Sequence, residues 1–335
     1  MLRSLDRLRK PTTMLRAIAA TVSLAILPAA FTTAATAQDY PTKTLRLIVP
    51  FPPAGSVDTV ARIITARLSE RLGKQIVVEN RPGASGIIAT EIAVNSPPDG
   101  HTLLMISFTH TMNPWLRKLP YDARRAFTPV AVLGKGASLL TVNTALPANS
   151  VKDLIALAKA KPKQLLFANA GIGTFTHTSS VLLAMMAGIE VEHVPFKGTG
   201  PAIIDVVGGH SQVLMNSIVT ALPHVRSGKL KALGISDTKR SPLLPDLPTI
   251  DEAGVPGYAA FNWWGVAVPT GTPQPVIDRL HKEIAAVQNS DDVKQQFAKD
   301  GAVIVQISSA EAGQFFLTEM EKWGKVAKQA NIKVE

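Results

Sequence analysis

Residues 127–143, FTPVAVLGKGASLLTVN, form a long apolar stretch with strand character, broken only by Gly134 and Gly136. A second stretch of this kind, YAAFNWWGVAVP, occupies residues 258–269. Strand-like and helix-like segments alternate before, between and after the two stretches, which predicts α/β domains with largely parallel sheets. Two long extended crossings further predict that one domain is inserted into another. The expected product is two lobes joined by two strands, with a cleft between them.

The crossings also set the predicted boundaries. Residues 38–135 and 262–335 are assigned to lobe 1, and residues 136–261 to lobe 2. The 335-residue chain suits one large or two medium domains, so its length agrees with this division. No internal repeat stands out.

Residues 1–37 have the pattern of a secretory signal peptide. A basic start precedes the apolar run at residues 17–31, which is shorter than the roughly 20 residues of a spanning helix. Small residues at Ala35 and Ala37 then predict cleavage between Ala37 and Gln38. An uncleaved N-terminal membrane anchor is the alternative interpretation.

Composition excludes several classes of function. The chain has no cysteine, so it can form no disulfide, thiolate nucleophile or cysteine metal site. Its formal charge is +10, of which the signal segment carries +4 and the rest of the chain +6. The basic residues are dispersed, and the seven histidines lack ligand spacing. We therefore expect no nucleic-acid partner, no metal site and no cofactor.

The first candidate binding loop is PFPPAGSVD, residues 50–58, where a strand passes into a helix. A helix N-terminus offers unpaired N–H groups to an anion, and small side chains let a carboxylate approach them. Asp58 is expected in the first turn or as a cap. A plain strand-to-helix turn is the alternative. The candidate ligand-binding residues here are Phe51, Pro52, Ala54, Gly55 and Ser56.

The second candidate loop lies in FANAGIGTFTHTSS, residues 167–180. It resembles a dinucleotide-binding glycine motif, but Thr176 stands at the third glycine and no acidic ribose partner follows, so that interpretation is weak. An anion site needs only exposed N–H groups and a hydroxyl. His177 is a ligand contact or a cap. The candidates are Gly171, Gly173, Thr174 and His177.

Two further segments also follow strands. HVPFKGTGPAII, residues 193–204, offers one cation, one hydroxyl and bare backbone at a helix start. SFTHTMNPW, residues 107–115, is predicted as a polar loop at the carboxyl end of a strand, where open α/β sheets bind ligands. A loop without a binding role is the alternative for the latter. These segments contribute the candidates Lys197, Gly198, Thr199, Ser107, Thr109 and His110.

Signatures of enzymes are mostly absent. GASG at residues 83–86 does not fit G-x-S-x-G, and there is no H-E-x-x-H. A Ser–His–Asp triad assembles in space rather than in sequence, so this alternative stays open.

Taken in order, several segments resemble the substrate-binding proteins of tripartite tricarboxylate transporters, the Bug-type receptors. The resemblance covers essentially all of the chain after the signal segment. It is carried by YPTKTLRLIVPFPPAGSVDTVAR, VVENRPGASG, PPDGHTLL, LPYD with FTPVAVL, PFKGTGPAI, GISDTKRSPLLPDLPTIDEAGVPGY and GTPQPVIDRL.

The resemblance implies a two-lobe periplasmic-binding-protein (Venus flytrap) fold, each lobe a mostly parallel sheet flanked by helices. It also implies that a small carboxylate lies between the lobes, held by main-chain N–H groups, hydroxyls and waters. Three positions depart from or vary within the family pattern: Ala54 replaces a glycine, Ser85 lies in the second loop, and Asn216 stands where an acidic or another polar residue often occurs. Asn216 is the last candidate ligand-binding residue.

These observations predict a monomeric periplasmic receptor, not an enzyme. It would capture a di-, tri- or aromatic carboxylate and deliver it to the subunits of a tripartite tricarboxylate-type membrane transporter. The alternatives are a periplasmic hydrolase or transferase acting on an anionic substrate, and a sensory receptor with the same fold.

Overall fold

The computed structural model describes residues 40–53, 55–299 and 301–332. The predicted signal peptide, its cleavage site and the candidate residue Ala54 lie outside these ranges. All described residues belong to one compact unit.

Ten strands and ten helices are described. The strands are β1 (Leu45–Val49), β2 (Ile76–Asn80), β3 (Thr102–Ser107), β4 (Phe127–Asn143), β5 (Leu166–Asn169), β6 (Glu192–Pro195), β7 (Val213–Ser217), β8 (Leu230–Ile235), β9 (Phe261–Pro269) and β10 (Ala302–Ile304). The helices are α1 (Ser56–Leu72), α2 (Ile87–Val94), α3 (Phe108–Leu116), α4 (Val151–Ala160), α5 (Phe175–Ala187), α6 (Thr199–Val207), α7 (Ile218–Arg226), α8 (Gln274–Gln288), α9 (Asp291–Lys299) and α10 (Ser309–Gln329).

The strands form a mixed sheet in the order β2-β1-β3-β9-β4-β7-β5-β6, with β8 and β10 also paired to β4. Two blocks are parallel, β2-β1-β3 and β7-β5-β6. Between them β9 and β4 are antiparallel to each other and to their neighbours. The parallel blocks and the two long central strands correspond to the predicted lobes and crossings.

The register along β4 places the ends of the two parallel blocks. β3 ends at Ser107 beside Trp264, which pairs with Gly134 of β4. β7 runs the opposite way and ends at Ser217 beside Ser138 of β4. These two positions on β4 are about 13 Å apart at roughly 3.3 Å per residue. The carboxyl ends of both blocks therefore approach the same short segment of β4.

The hydrophobic core holds the two blocks together. One buried cluster joins α3, α5 and α10 through Phe108, Phe175 and Trp323, whose rings meet edge to face. A second cluster packs α1 and α8 on β1 and β9. Smaller clusters lie beneath α6 and α7. The largest cluster thus contains side chains from both blocks.

The predicted alternation of strands and helices is confirmed, with four differences. The stretch at 127–143 is one continuous strand, because its two glycines stay paired while the register shifts beside them. Residues 108–116, predicted as a loop, form the helix α3. Helices α7 and α9 were not predicted from the sequence. α3 and α7 each contain a proline, Pro114 or Pro223, which weakens the helical pattern.

Candidate functional site

The first candidate loop is fixed by Asn80 and Asp58. The Asn80 Nδ2 donates to the Phe51 carbonyl and to the Asp58 carboxylate, at 2.9 Å each. Asp58 also pairs with Arg62 and is 3% exposed. It lies in the first turn of α1, as the sequence predicts, and its hydrogen bond with Asn80 connects the loop to β2. Pro52 and Ser56 flank the start of α1 in this loop.

Gly55 caps α1 with extended backbone, at φ −81° and ψ 164°. Any residue can adopt these angles. A Cβ built on Gly55 would come no nearer than 3.6 Å to its closest neighbour, the Pro52 carbonyl oxygen. The backbone conformation therefore does not require glycine here. The remaining reason for a glycine is that it leaves open space beside the helix N-terminus.

A second loop of the first block adjoins this one. Residues Gly83, Ala84, Ser85 and Gly86 all have positive φ, at 134°, 46°, 55° and 89°. A Cβ on Gly86 would lie 3.0 Å from the Pro50 side chain, so the two loops touch. The Asn113 side chain of α3 donates to the Ser85 carbonyl at 3.0 Å. Strained backbone of this kind is typical of functional loops.

The start of α3 is tied together by His110. The Ser107 N–H donates to His110 Nδ1 at 3.1 Å, and His110 Nε2 lies 3.1 Å from the Thr90 hydroxyl. Burial lowers the pKa of His110 to about 4, so its ring is neutral at neutral pH. Both ring nitrogens are therefore engaged. The neighbouring Thr109 is buried too.

The start of α5 has the same arrangement. The Gly173 N–H donates to His177 Nδ1 at 3.3 Å. Burial and, secondarily, His193 lower the pKa of His177 to about 4. The Thr174 hydroxyl donates to the Gly171 carbonyl at 2.6 Å. Thr174 can accept a further hydrogen bond, but its own proton is already used.

The two helix starts share one tetrapeptide, F-T-H-T, at residues 108–111 and 175–178. The two phenylalanines lie 5.1 Å apart between ring centroids. Gly173 also packs against Leu116 at the end of α3. The start of α5, from one parallel block, thus packs along α3, from the other block. This short repeat is visible in the sequence, but sequence reasoning missed it.

Lys197 is exposed, and it forms no ion pair with any described residue. Gly198 caps α6 at φ 117°, a left-handed conformation that favours glycine, and Thr199 opens the helix. The Phe196 N–H donates to the Asn169 carbonyl at 2.9 Å, which places this loop beside Gly171. The structure therefore brings together these two candidate loops of the second block.

Asn216 lies in β7 and is 1% exposed. Its Oδ1 accepts from the Thr220 hydroxyl at 2.9 Å, but its Nδ2 has no partner. The position is thus inside the sheet beneath the start of α7, while the other candidates lie on loops and helix starts.

Several buried polar atoms on β3, β4, β5, β7 and β9 have no hydrogen-bond partner among the described residues. Leaving such an atom unpaired costs about 1–3 kcal/mol, so each calls for an explanation. All can donate a hydrogen bond and none is charged. They are Ser107 Oγ, Ser138 Oγ, Asn169 Nδ2, Asn216 Nδ2, Trp263 Nε1 and Trp264 Nε1.

Three of these donors stand at the carboxyl ends of parallel strands: Ser107 on β3, Asn169 on β5 and Asn216 on β7. Ser138, Trp263 and Trp264 lie on the long central strands. Sequence reasoning named Ser107 and Asn216 but missed the binding potential of the others. The position of Asn169, two residues before Gly171 at a strand end, is a signal that could have identified it.

A cation also lies beside these loops. Arg117 follows α3 directly, and its Nη2 is 3.4 Å from Ser85 Oγ, while its Nε is buried without a partner. No carboxylate of the described chain pairs with Arg117. No sequence motif singles it out.

Two kinds of feature are absent from the described ranges. They contain no group of three or more His, Cys, Asp or Glu side chains that could hold a metal ion. They also contain no helix long and apolar enough to cross a membrane.

Comparison with solved structures first defines the class. The chain has the two-lobe fold of periplasmic binding proteins. One similar structure is R. palustris Rpa4515 with adipate, at 35% identity and TM-score 0.83, covering 88% of this chain and 100% of that one. Another is MatC from Rhodopseudomonas palustris with bound malate, at 34% identity and TM-score 0.78, covering 86% and 99%.

The family follows from the sequence. Residues 60–332 match the model of the tripartite tricarboxylate transporter family receptor. Protein BugT of Bordetella pertussis is 33% identical over 319 residues, which cover 94% of this chain and 98% of BugT. The chain therefore belongs to the tripartite tricarboxylate transporter family of receptors, which are solute-binding proteins.

Proposed function

We propose that the protein is a periplasmic receptor that binds a small carboxylate between its two lobes and passes it to a tripartite tricarboxylate-type membrane transporter. The observation that carries the proposal is the set of buried, uncharged, unpartnered donors at the carboxyl ends of β3, β5 and β7. Carboxylate oxygens accept hydrogen bonds only, so they complement such a set.

Helix starts support the same ligand chemistry. α1, α3, α5 and α6 begin at the strand ends of the two blocks, and a helix N-terminus favours an anion without a formal positive charge. A ligand held this way is released more readily than one locked in a buried ion pair. The adipate and malate in the two similar structures are small dicarboxylates, which agrees with this class of ligand.

The candidate ligand-binding residues named from the sequence are retained as the proposed site, with His110 and His177 acting through the backbone that they hold. We add Asn169 and Ser138 because of their unpartnered donors. The proposed lobes keep their boundaries, with residues 38–135 and 262–335 in lobe 1 and 136–261 in lobe 2. Export by cleavage between Ala37 and Gln38 completes the proposal, together with a monomeric state.

The proposed role is binding without catalysis. Both F-T-H-T histidines use Nδ1 to accept a backbone N–H, so neither ring is a free base. The Ser180 hydroxyl lies 3.4 Å from His193 Nδ1 but donates its proton to the His177 carbonyl at 2.7 Å. A hydrolase would need such a base within hydrogen-bond reach of its nucleophile. When the protein is incubated with esters and amides of the bound carboxylate, no hydrolysis product should therefore form. These compounds should either compete with the carboxylate for binding or have no effect on it.

A thermal-shift screen over di-, tri- and aromatic carboxylates tests the proposal. A ligand at 100 times its Kd should add about 2.7 kcal/mol of apparent stability. The dimethyl ester of each hit is the matched control, because it keeps the shape and loses the negative charge. Stabilisation by the ester equal to that by the acid would contradict carboxylate recognition.

The role of charge is tested by Lys197→Met. Because Lys197 is exposed, it should aid attraction of the ligand more than it holds it, so its loss should weaken binding a few-fold and reduce the salt dependence. Calorimetry of this variant at low and high salt measures both effects. Complete loss of binding would show instead that an ion pair dominates the site.

A further inference from the structure

A cavity of about 600 Å³ lies beside the central segment of β4, apart from every candidate residue described above. This volume falls within the range of small-molecule sites. The described residues that line it are Lys135, Ala137, Ile218, Asp237, Thr238, Lys239, Arg240, Ser241, Pro242, Leu243, Lys294, Phe297, Ala298, Gly301, Ala302, Val303 and Ile304.

The cavity is built where four chain segments meet. β10 pairs with β4 through Ala302 and Gly136, and α7 begins at Ile218 just past the end of β7. A Cβ on Gly301 would lie 2.8 Å from Ile218 Cγ2 and 3.4 Å from Leu243 Cδ1. This close packing closes one end of the cavity, so the space is bounded by fixed elements.

The interior and the rim differ in chemistry. Val303 is exposed, Leu243 and Ile304 are half-buried, and together they give the interior an apolar wall that is backed by the buried Ile218 and Phe297. Lys239 and Lys294 are exposed at the rim and form no ion pair with any described residue. An apolar wall under unpaired cations suits a molecule with an apolar body and an acidic end.

The remaining charges on the lining are already paired. Lys135 lies 3.3 Å from Asp237, whose side chain is 14% exposed, and its ammonium stands over the Phe261 ring at 4.6 Å. Arg240 pairs with Glu252 at 2.9 Å. The two lysines at the rim therefore leave an excess of positive charge, which an anionic ligand would neutralise.

We propose that this cavity is a second ligand site, which takes an organic monoanion with an apolar body, such as a medium-chain carboxylate. The apolar body lies against Leu243, Val303 and Ile304. The acidic group lies at the rim beside Lys239 and Lys294. None of the residues that line the cavity belongs to the proposed carboxylate site.

Calorimetric titration of the purified protein with octanoate, butanoate and 1-octanol tests the proposed chemistry. Octanoate should bind at least tenfold more tightly than butanoate, because each buried methylene favours binding. It should also bind more tightly than 1-octanol, which has the same body without the charge. Equal affinity for octanoate and 1-octanol, or no binding of octanoate at millimolar concentration, would overturn the proposal.

Variants locate the site. The double variant Lys239→Gln/Lys294→Gln should weaken octanoate binding about fivefold or more at low salt, since two exposed cations are lost. The matched control is Lys159→Gln/Lys161→Gln, two exposed lysines elsewhere, and it should bind octanoate normally. Gly55→Val should also leave octanoate binding unchanged. Unaltered binding in the rim variant, or its loss in Gly55→Val, would place octanoate elsewhere and refute the site.

Discussion

Replacing Asn216 by leucine should separate stability from binding. The Asn216 Nδ2 is buried without a partner, and its removal relieves a penalty of about 1–3 kcal/mol. The change also loses the hydrogen bond from Thr220, worth about 0.5–1.5 kcal/mol. Thr220 keeps a second acceptor, the Ser217 carbonyl, at 3.1 Å. The unliganded protein should therefore be unchanged or up to about 2 kcal/mol more stable by these figures.

Ligand binding should respond in the opposite direction. A hydrogen bond to a charged group contributes about 1.5–3 kcal/mol, so Asn216→Leu should weaken carboxylate binding by about 10- to 150-fold. Urea unfolding of the unliganded protein measures the first quantity, and calorimetry with the hit of the screen measures the second.

Asn143→Leu is the matched control, because Asn143 is also a buried asparagine near a strand end, here that of β4. Its side chain donates to the Val206 carbonyl at 2.8 Å and accepts from the Ala145 N–H at 2.9 Å. It should lose stability and keep its affinity. If Asn216→Leu instead destabilised the protein as much as Asn143→Leu and bound ligand normally, Asn216 would be a structural residue and the reasoning from unpartnered donors would be wrong.

Three further predictions concern other parts of the molecule. Gly55→Val should fold normally, since its φ of −81° suits valine, yet abolish carboxylate binding; circular dichroism and calorimetry check both, and normal binding would exclude an anion beside this helix start. Burial lowers the pKa of His110 and of His177 to about 4, so the unfolded chain binds more protons than the folded protein below pH 6.5. The free energy of unfolding should therefore fall from pH 6.5 towards pH 4. A melting temperature that stayed constant over that range would contradict buried neutral rings. The indole N–H groups of Trp263 and Trp264 have no partner, so their emission should shift when ligand binds, and an unchanged spectrum at saturation would place the ligand away from β9.

The sequence predicted the architecture well because its signals are local. The β-branched and apolar residues of 127–143 favour an extended strand, and that strand is β4. Strand order, in contrast, cannot be predicted from local signals. The antiparallel pairing of β4 with both β7 and β9 depends on contacts between distant residues, which no local pattern contains.

The site was predicted only in part for the same reason. Glycines and hydroxyls after strands revealed the loops, and they correctly led to helix starts. Whether a polar atom is satisfied depends on its neighbours in space. His110 and His177 have the residue type of ligand contacts, yet each accepts a backbone N–H, whereas Asn169 looks like an ordinary strand end and has a free donor.

The pairing of β10 with β4 constrains the order in which the protein can be completed. β4 is synthesised long before Ala302–Ile304, so its edge at Gly134–Gly136 must wait for that strand. Until then that edge is an exposed strand, open to pairing with another chain. A protein that lacks its C-terminal segment should therefore aggregate, even though every predicted carboxylate-binding residue is present.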